Sequence, residues 1–187
     1  MNYPGHVKKT YKKLTNYANR GMDLENLVNM ACEKYIENGT AIIYKKPTPI
    51  QIVKYDYQKK RITDAFYKSE STLDYNGVYK GYYIEFDAKH TNATSLPLAN
   101  IAEHQFLHIK RIIEHKGICF LLIMIKEKCF LLTGQLLLEF IKTENRKSIP
   151  YSYIEKKGIE LEYSYLKGVD FIKGIEKLIK EDTKWKK

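Results

Sequence analysis

The sequence predicts an α/β domain with a mixed central sheet, flanking helices and one basic segment projecting from it. Three observations carry this. "YYIEFDAK" (82–89) alternates apolar and polar residues with the period of a half-buried strand. "GICFLLIMI" (117–125) is apolar on both faces, as befits a central strand. Helical patterns lie before, between and after these two, so helices and strands intermix along the chain.

A chain of 187 residues suits one domain, 1–187, with a core of ordinary size. Its 44% hydrophobic and 29% charged content is that of a globular protein. The longest apolar run is too short to span a bilayer, so no membrane role is expected. The start carries no export pattern. Cys32, Cys119 and Cys129 are odd in number, lack metal-type spacing and sit in apolar segments, so reduced packing residues and a cytoplasmic location are expected. Lys and Arg outnumber Asp and Glu by 32 to 22, for a net charge of +10 and a pI near 9.3. Such an excess gathers anionic polymers, nucleic acid above all, though charge alone also describes a soluble basic protein without that role.

The first twenty residues are polar and basic, read either as a flexible arm (1–20) for phosphate contact or as a solvated tail. From Asp23, Leu24, Leu27, Val28, Ala31 and Tyr35 follow helical spacing, and Gly39 can end the helix. "TAIIYKK" reads as a strand, and Pro47 and Pro49 break it. The segment 49–70 alternates apolar and polar residues but is crowded with bases, and it reads as a projecting hairpin or stalk. In "DYNGVYKG" the Asn76-Gly77 pair signals a tight turn. In the strand that follows, Ile84, Phe86 and Ala88 face one side and Glu85, Asp87 and Lys89 the other. A polar loop, "HTNATSLP", leads to a helix from about Leu98 to His115. Its apolar stripe is Leu98, Ile101, Ala102, Ile109 and Ile112, with Gln105 in the middle, and a buried Gln amide requires a polar partner. "KCFLLT" is a further strand and "GQLLLEFIK" a short helix. The remainder mixes turn and helix signals before a terminal helix and basic tail.

Asp74, Asp87 and Lys89 form the candidate chemistry. The strand face is either a solvated charged surface or the seat of a hard cation. Two carboxylates without a His or Cys cluster suit Mg²⁺, or Mn²⁺ in its place, and an adjacent ammonium can stabilise charge on a phosphate. Gln105, directed inward from the next helix, could help to hold such an ion.

Six blocks carry a resemblance: "NRGMDLENLVN" (19–29), "KKPTPIQIV" (45–53), "STLDYNGVYKGYYIEFDAK" (71–89), "SLPLANIAEHQ" (95–105), "GICFLLI" (117–123) and "NRKSIP" (145–150). In this order the chain resembles the RecU family of Holliday-junction resolvases. The resemblance implies a restriction-endonuclease-like mixed central sheet flanked by helices, with a projecting stalk. It implies Thr72, Asp74, Asp87 and Gln105 as metal-site positions and Lys89 as the lysine that stabilises the transition state. It further implies a homodimer that nicks opposed strands of four-way junction DNA symmetrically in Mg²⁺, with recombinase and branch-migration proteins as partners. Arg20, Lys45, Lys46, Lys59, Lys60 and Arg61 are the candidate phosphate contacts. A non-catalytic junction- or duplex-binding module of the same fold is the alternative. The family usually has Glu where this chain has Asp87, which implies a slightly retracted ligand, and the loop between Lys89 and Gln105 is one residue shorter. Glu25, on the first helix, is either a distant ligand or base, or part of a surface salt bridge.

Overall fold

A computed structural model describes residues 24–68 and 72–181 of the chain. The basic arm with Arg20, the last residues of the stalk segment and the basic tail lie outside the described residues. The first helix, α1 (Leu24–Glu37), buries Leu24, Leu27, Val28 and Ala31 on one side, as their spacing predicts. Gly39 follows in the left-handed region at φ 66°, where a residue without Cβ is favoured. The strand β1 (Ile42–Lys45) leads through the prolines into β2 (Ile50–Asp56) and β3 (Arg61–Tyr67). Among the described residues these two pair only with each other, and they are exposed along almost their whole length. The hairpin is closed by Asp56, whose Oδ1 accepts from the amides of Gln58 and Lys59, both at 3.0 Å. A two-stranded basic projection therefore stands where the sequence places one.

The central sheet is completed by β4 (Tyr75–Tyr79), β5 (Tyr82–Thr91), β7 (Ile118–Ile125), β8 (Lys128–Thr133) and β10 (Ile159–Leu161), in the order β1-β4-β5-β7-β8-β10. The β5/β7 pair is parallel and its other pairs are antiparallel, so the sheet is mixed. Every residue of β7 is buried. One face of the sheet packs on α1 and on α5 (Phe171–Glu181). The other packs on α2 (Glu103–Glu114), α3 (Gly134–Thr143) and α4 (Tyr151–Lys157). Two small ladders finish the fold: β6 (Ser95–Pro97) with β9 (Ser148–Pro150), and β11 (Tyr163–Ser164) with β12 (Gly168–Val169). The three cysteines are free and buried, and no helix of the described residues is long and apolar enough to cross a membrane.

The structure departs from the sequence reading at three places near the site. Asn76-Gly77 is not a turn but lies inside β4, and the chain reverses at Lys80 and Gly81, both with positive φ. The reason is the close approach of β1: a Cβ on Gly77 would stand 2.0 Å from the Ile42 carbonyl oxygen and 2.6 Å from Ile43 Cα. The helix expected from Leu98 begins at Glu103, after a short 3₁₀ turn at Leu98–Asn100 and an extended Ile101. The expected polar loop is largely strand, since β5 runs on to Thr91 and Ser95–Pro97 pairs with β9.

Candidate active site

The register of β5 is set by a stack of aromatic rings across three strands. Phe86 lies between Tyr75 of β4, at 4.9 Å and 3° between planes, and Phe120 of β7, at 4.7 Å and 8°. These residues are direct partners in the two ladders, so each pair adds about 1 kcal/mol beyond its buried area and opposes a slip along the strand. With Phe86 held in one core, strand alternation turns Glu85 and Asp87 toward the opposite one. Both are buried, Glu85 at 1% and Asp87 at 0% exposure. The face is therefore not a solvated one.

Asp87 Oδ2 forms an ion pair with the Lys89 ammonium at 2.9 Å and accepts from Gln105 Nε2 at 3.2 Å. The same Gln105 amide donates to the Thr72 carbonyl oxygen at 3.0 Å, and its Oε1 accepts from the Ala102 amide at 3.0 Å. Gln105 is thus the polar residue in the helix stripe and has the partners its burial requires. It ties the start of α2, the segment 72–74 and Asp87 together, and it orients the carboxylate. Asp74, half-buried, lies against Asp87, and its carboxyl pKa is pushed up from 3.8 to about 6. Burial is the largest cause, followed by the close approach and the charge of the Asp87 carboxylate. The Lys89 and Lys45 charges act in the opposite direction.

The donor set fits a small hard cation. Asp87 Oδ1 is a buried carboxylate oxygen with no hydrogen-bond partner, and a second carboxyl group is in contact with its own. Carboxylates that close coexist by sharing a proton or a cation. Among the described residues no group of three or more His, Cys, Asp or Glu side chains is arranged to hold a metal. A pair of carboxylates is nonetheless a normal protein contribution to a Mg²⁺ site, where water and substrate oxygens supply the rest.

The remaining candidates are placed unevenly. Lys45 pairs with Glu25 of α1 at 2.5 Å, so Glu25 makes the salt bridge that was one of its two readings. Lys46 is turned inward, and its ammonium bonds both Thr72 Oγ1 and Glu85 Oε1. Lys59, Lys60 and Arg61 lie exposed at the stalk tip, far along the chain from the carboxylates. Sequence reasoning missed the group around Glu85. Its Oε2 accepts from the Tyr83 hydroxyl at 2.6 Å, and His108 Nε2 stands 2.9 Å from Oε1. Burial would raise the Glu85 pKa, but the bonds from Lys46, Tyr83 and His108 outweigh it and hold the carboxyl below its ordinary value. The available signal was the alternation of β5, which puts Glu85 on the same face as Asp87.

The family model described as "Recombination protein U" (RecU) matches residues 19–177. A protein of Oceanobacillus iheyensis named Holliday junction resolvase RecU is 44% identical, over 95% of this chain and 99% of its own. Proteins of the same name from Pediococcus pentosaceus and Streptococcus sanguinis are 43% and 39% identical, over 96% and 94% of this chain and 98% and 94% of their own. Among solved structures, the Holliday junction resolvase Hjc of Archaeoglobus fulgidus overlaps 71% of this chain and 94% of its own, with 9% identity and a TM-score of 0.43. With a family model covering most of its length and near full-length relatives well above 30% identity, the chain belongs to the RecU family.

Proposed function

We propose that this chain is a divalent-metal-dependent, restriction-endonuclease-like nuclease that resolves four-way DNA junctions. Asp74 and Asp87 hold the cation, Mg²⁺ or Mn²⁺, and Lys89 stabilises charge on the phosphate. One observation carries the reading: a fully buried, unpartnered carboxylate oxygen, Asp87 Oδ1, beside the carboxyl of Asp74. Leaving such an oxygen bare in a protein interior is costly, and a site that waits for a cation accounts for it. When bound, the cation lowers the pKa of a water and neutralises charge building on phosphorus. The chain's own residues do the rest. Gln105 fixes the plane of Asp87 through Oδ2, leaving Oδ1 free. Lys89, bound to that same Oδ2, is positioned to donate to a non-bridging phosphate oxygen. Thr72 supports Gln105 through its carbonyl.

The stalk, with Lys59, Lys60 and Arg61 at its tip, supplies phosphate contacts and reaches into the junction. Arg20 and Lys45 are further proposed contacts. Symmetric nicking of two strands calls for a homodimer whose two-fold axis matches that of the junction. A cytoplasmic location and contact with recombinase and branch-migration proteins belong to the same reading.

The test compares a mobile four-way junction with linear duplex of the same sequence, with and without Mg²⁺. Paired nicks in the junction alone, dependent on Mg²⁺ and absent in Asp87→Asn, are expected. Tight junction binding without cleavage in any divalent metal would leave a non-catalytic binding module. Sedimentation showing only monomer at working concentrations would overturn the dimer.

A further inference from the structure

Glu85 is buried beside the proposed metal site, yet the mechanism above gives it no task. A carboxylate removed from water is costly unless its neighbours repay it, and those neighbours indicate what it holds. Oε2 takes the Tyr83 hydroxyl, and Oε1 takes His108 and the Lys46 ammonium. Lys46 in turn grips the segment 72–74 at both ends. Its ammonium bonds Thr72 Oγ1, and its backbone amide donates to the Asp74 carbonyl oxygen at 2.7 Å. Between these two points Leu73 is sunk in the core at 0% exposure. This segment brings the chain back from the exposed hairpin and delivers Asp74 to Asp87.

We infer that Glu85 and Lys46 form a clamp of positioning residues that holds the segment 72–74, so that the Asp74 carboxyl meets that of Asp87 and the site keeps its cation. This rests on the metal-site reading above. Charge and position make opposite predictions for Lys46. Removing an ammonium near a cation site tightens the cation by electrostatics alone, whereas loosening the segment that carries a ligand weakens it.

The experiment titrates the full chain with Mn²⁺ and reads free Mn²⁺ by electron paramagnetic resonance. It compares wild type with Lys46→Met, Glu85→Gln, the double variant and Asp87→Asn. Each clamp variant should weaken Mn²⁺ about tenfold, the usual scale for groups that orient metal ligands. The double variant should be no weaker than either single one, because both break the same clamp, and metal-free junction binding should persist. The double variant leaves no unpaired buried charge, so it keeps the test decisive where a single variant folds poorly. Mn²⁺ affinity in Lys46→Met or the double variant equal to or tighter than wild type overturns the clamp alone. Identical titrations of wild type and Asp87→Asn overturn the metal site, and the clamp with it.

Discussion

Raising the pH of the metal-free protein from about 5 to about 8 should destabilise it, and Asp74 is the reason. Its carboxyl pKa is 3.8 ordinarily and about 6 here, chiefly through burial and contact with Asp87. The folded chain therefore binds this proton more tightly than the unfolded one. The resulting stability is complete below 3.8 and is lost as the pH climbs through about 6. Taken at face value the whole difference corresponds to ~3 kcal/mol, and about half of it is lost between about pH 5 and 8. The side chain is only half-buried, so solvent screening reduces that half to about 0.5–1 kcal/mol. For a domain of this size that is a fall in melting temperature of roughly 1–4 °C. Glu85 does not confuse the result. Its pKa is held below the ordinary 4.5, so its contribution is present above that value and is lost only in stronger acid.

The assay is thermal unfolding in chelator across this range, with Asp74→Asn as the control. The amide cannot titrate, so this slope should vanish in the variant. Excess Mg²⁺ should flatten the wild-type slope too, because a cation bound only to the folded state replaces the proton. Should Asp74→Asn keep the wild-type slope between about pH 5 and 8, the coupling of Asp74 to Asp87 would be refuted.

Four further outcomes are expected. Asp87→Asn should abolish junction cleavage while gel-shift affinity holds, and Lys89→Met should slow single-turnover cleavage by roughly 10²- to 10³-fold, the scale for removing one donor to a transition-state oxyanion. Replacing Lys59, Lys60 and Arg61 together by Ala should make the dependence of log binding constant on log salt shallower by about 0.9 for each phosphate no longer neutralised, read by fluorescence anisotropy. Gly77→Ala must force β1 away from β4, because its Cβ would overlap the Ile42 carbonyl at 2.0 Å. Urea unfolding should show a fall in stability of about 3 kcal/mol, and a fall well under 1 would mean that β1 moves freely.

Whatever follows from a local period was legible in the residues themselves. Two-residue alternation in 82–89 put Asp87 and Lys89 on one strand face, helical spacing put Gln105 among apolar residues, and a basic hairpin with no core partner was recognisable as a projection. The carboxylate of Asp74 upstream of that strand completed the candidate set, and the family blocks added Thr72 by resemblance. The folded arrangement was needed to establish that the face is buried, that Gln105 meets both Thr72 and Asp87, and that Lys46 turns inward to Glu85 instead of outward to solvent. It also overruled the Asn76-Gly77 turn, since the local preference for reversal yields when a neighbouring strand needs a residue without Cβ. One cause underlies all of these. Periodicity records which way a side chain points from its own element, but what it meets there depends on which distant strand or helix the sheet order brings alongside, and that information is not local to any stretch of chain.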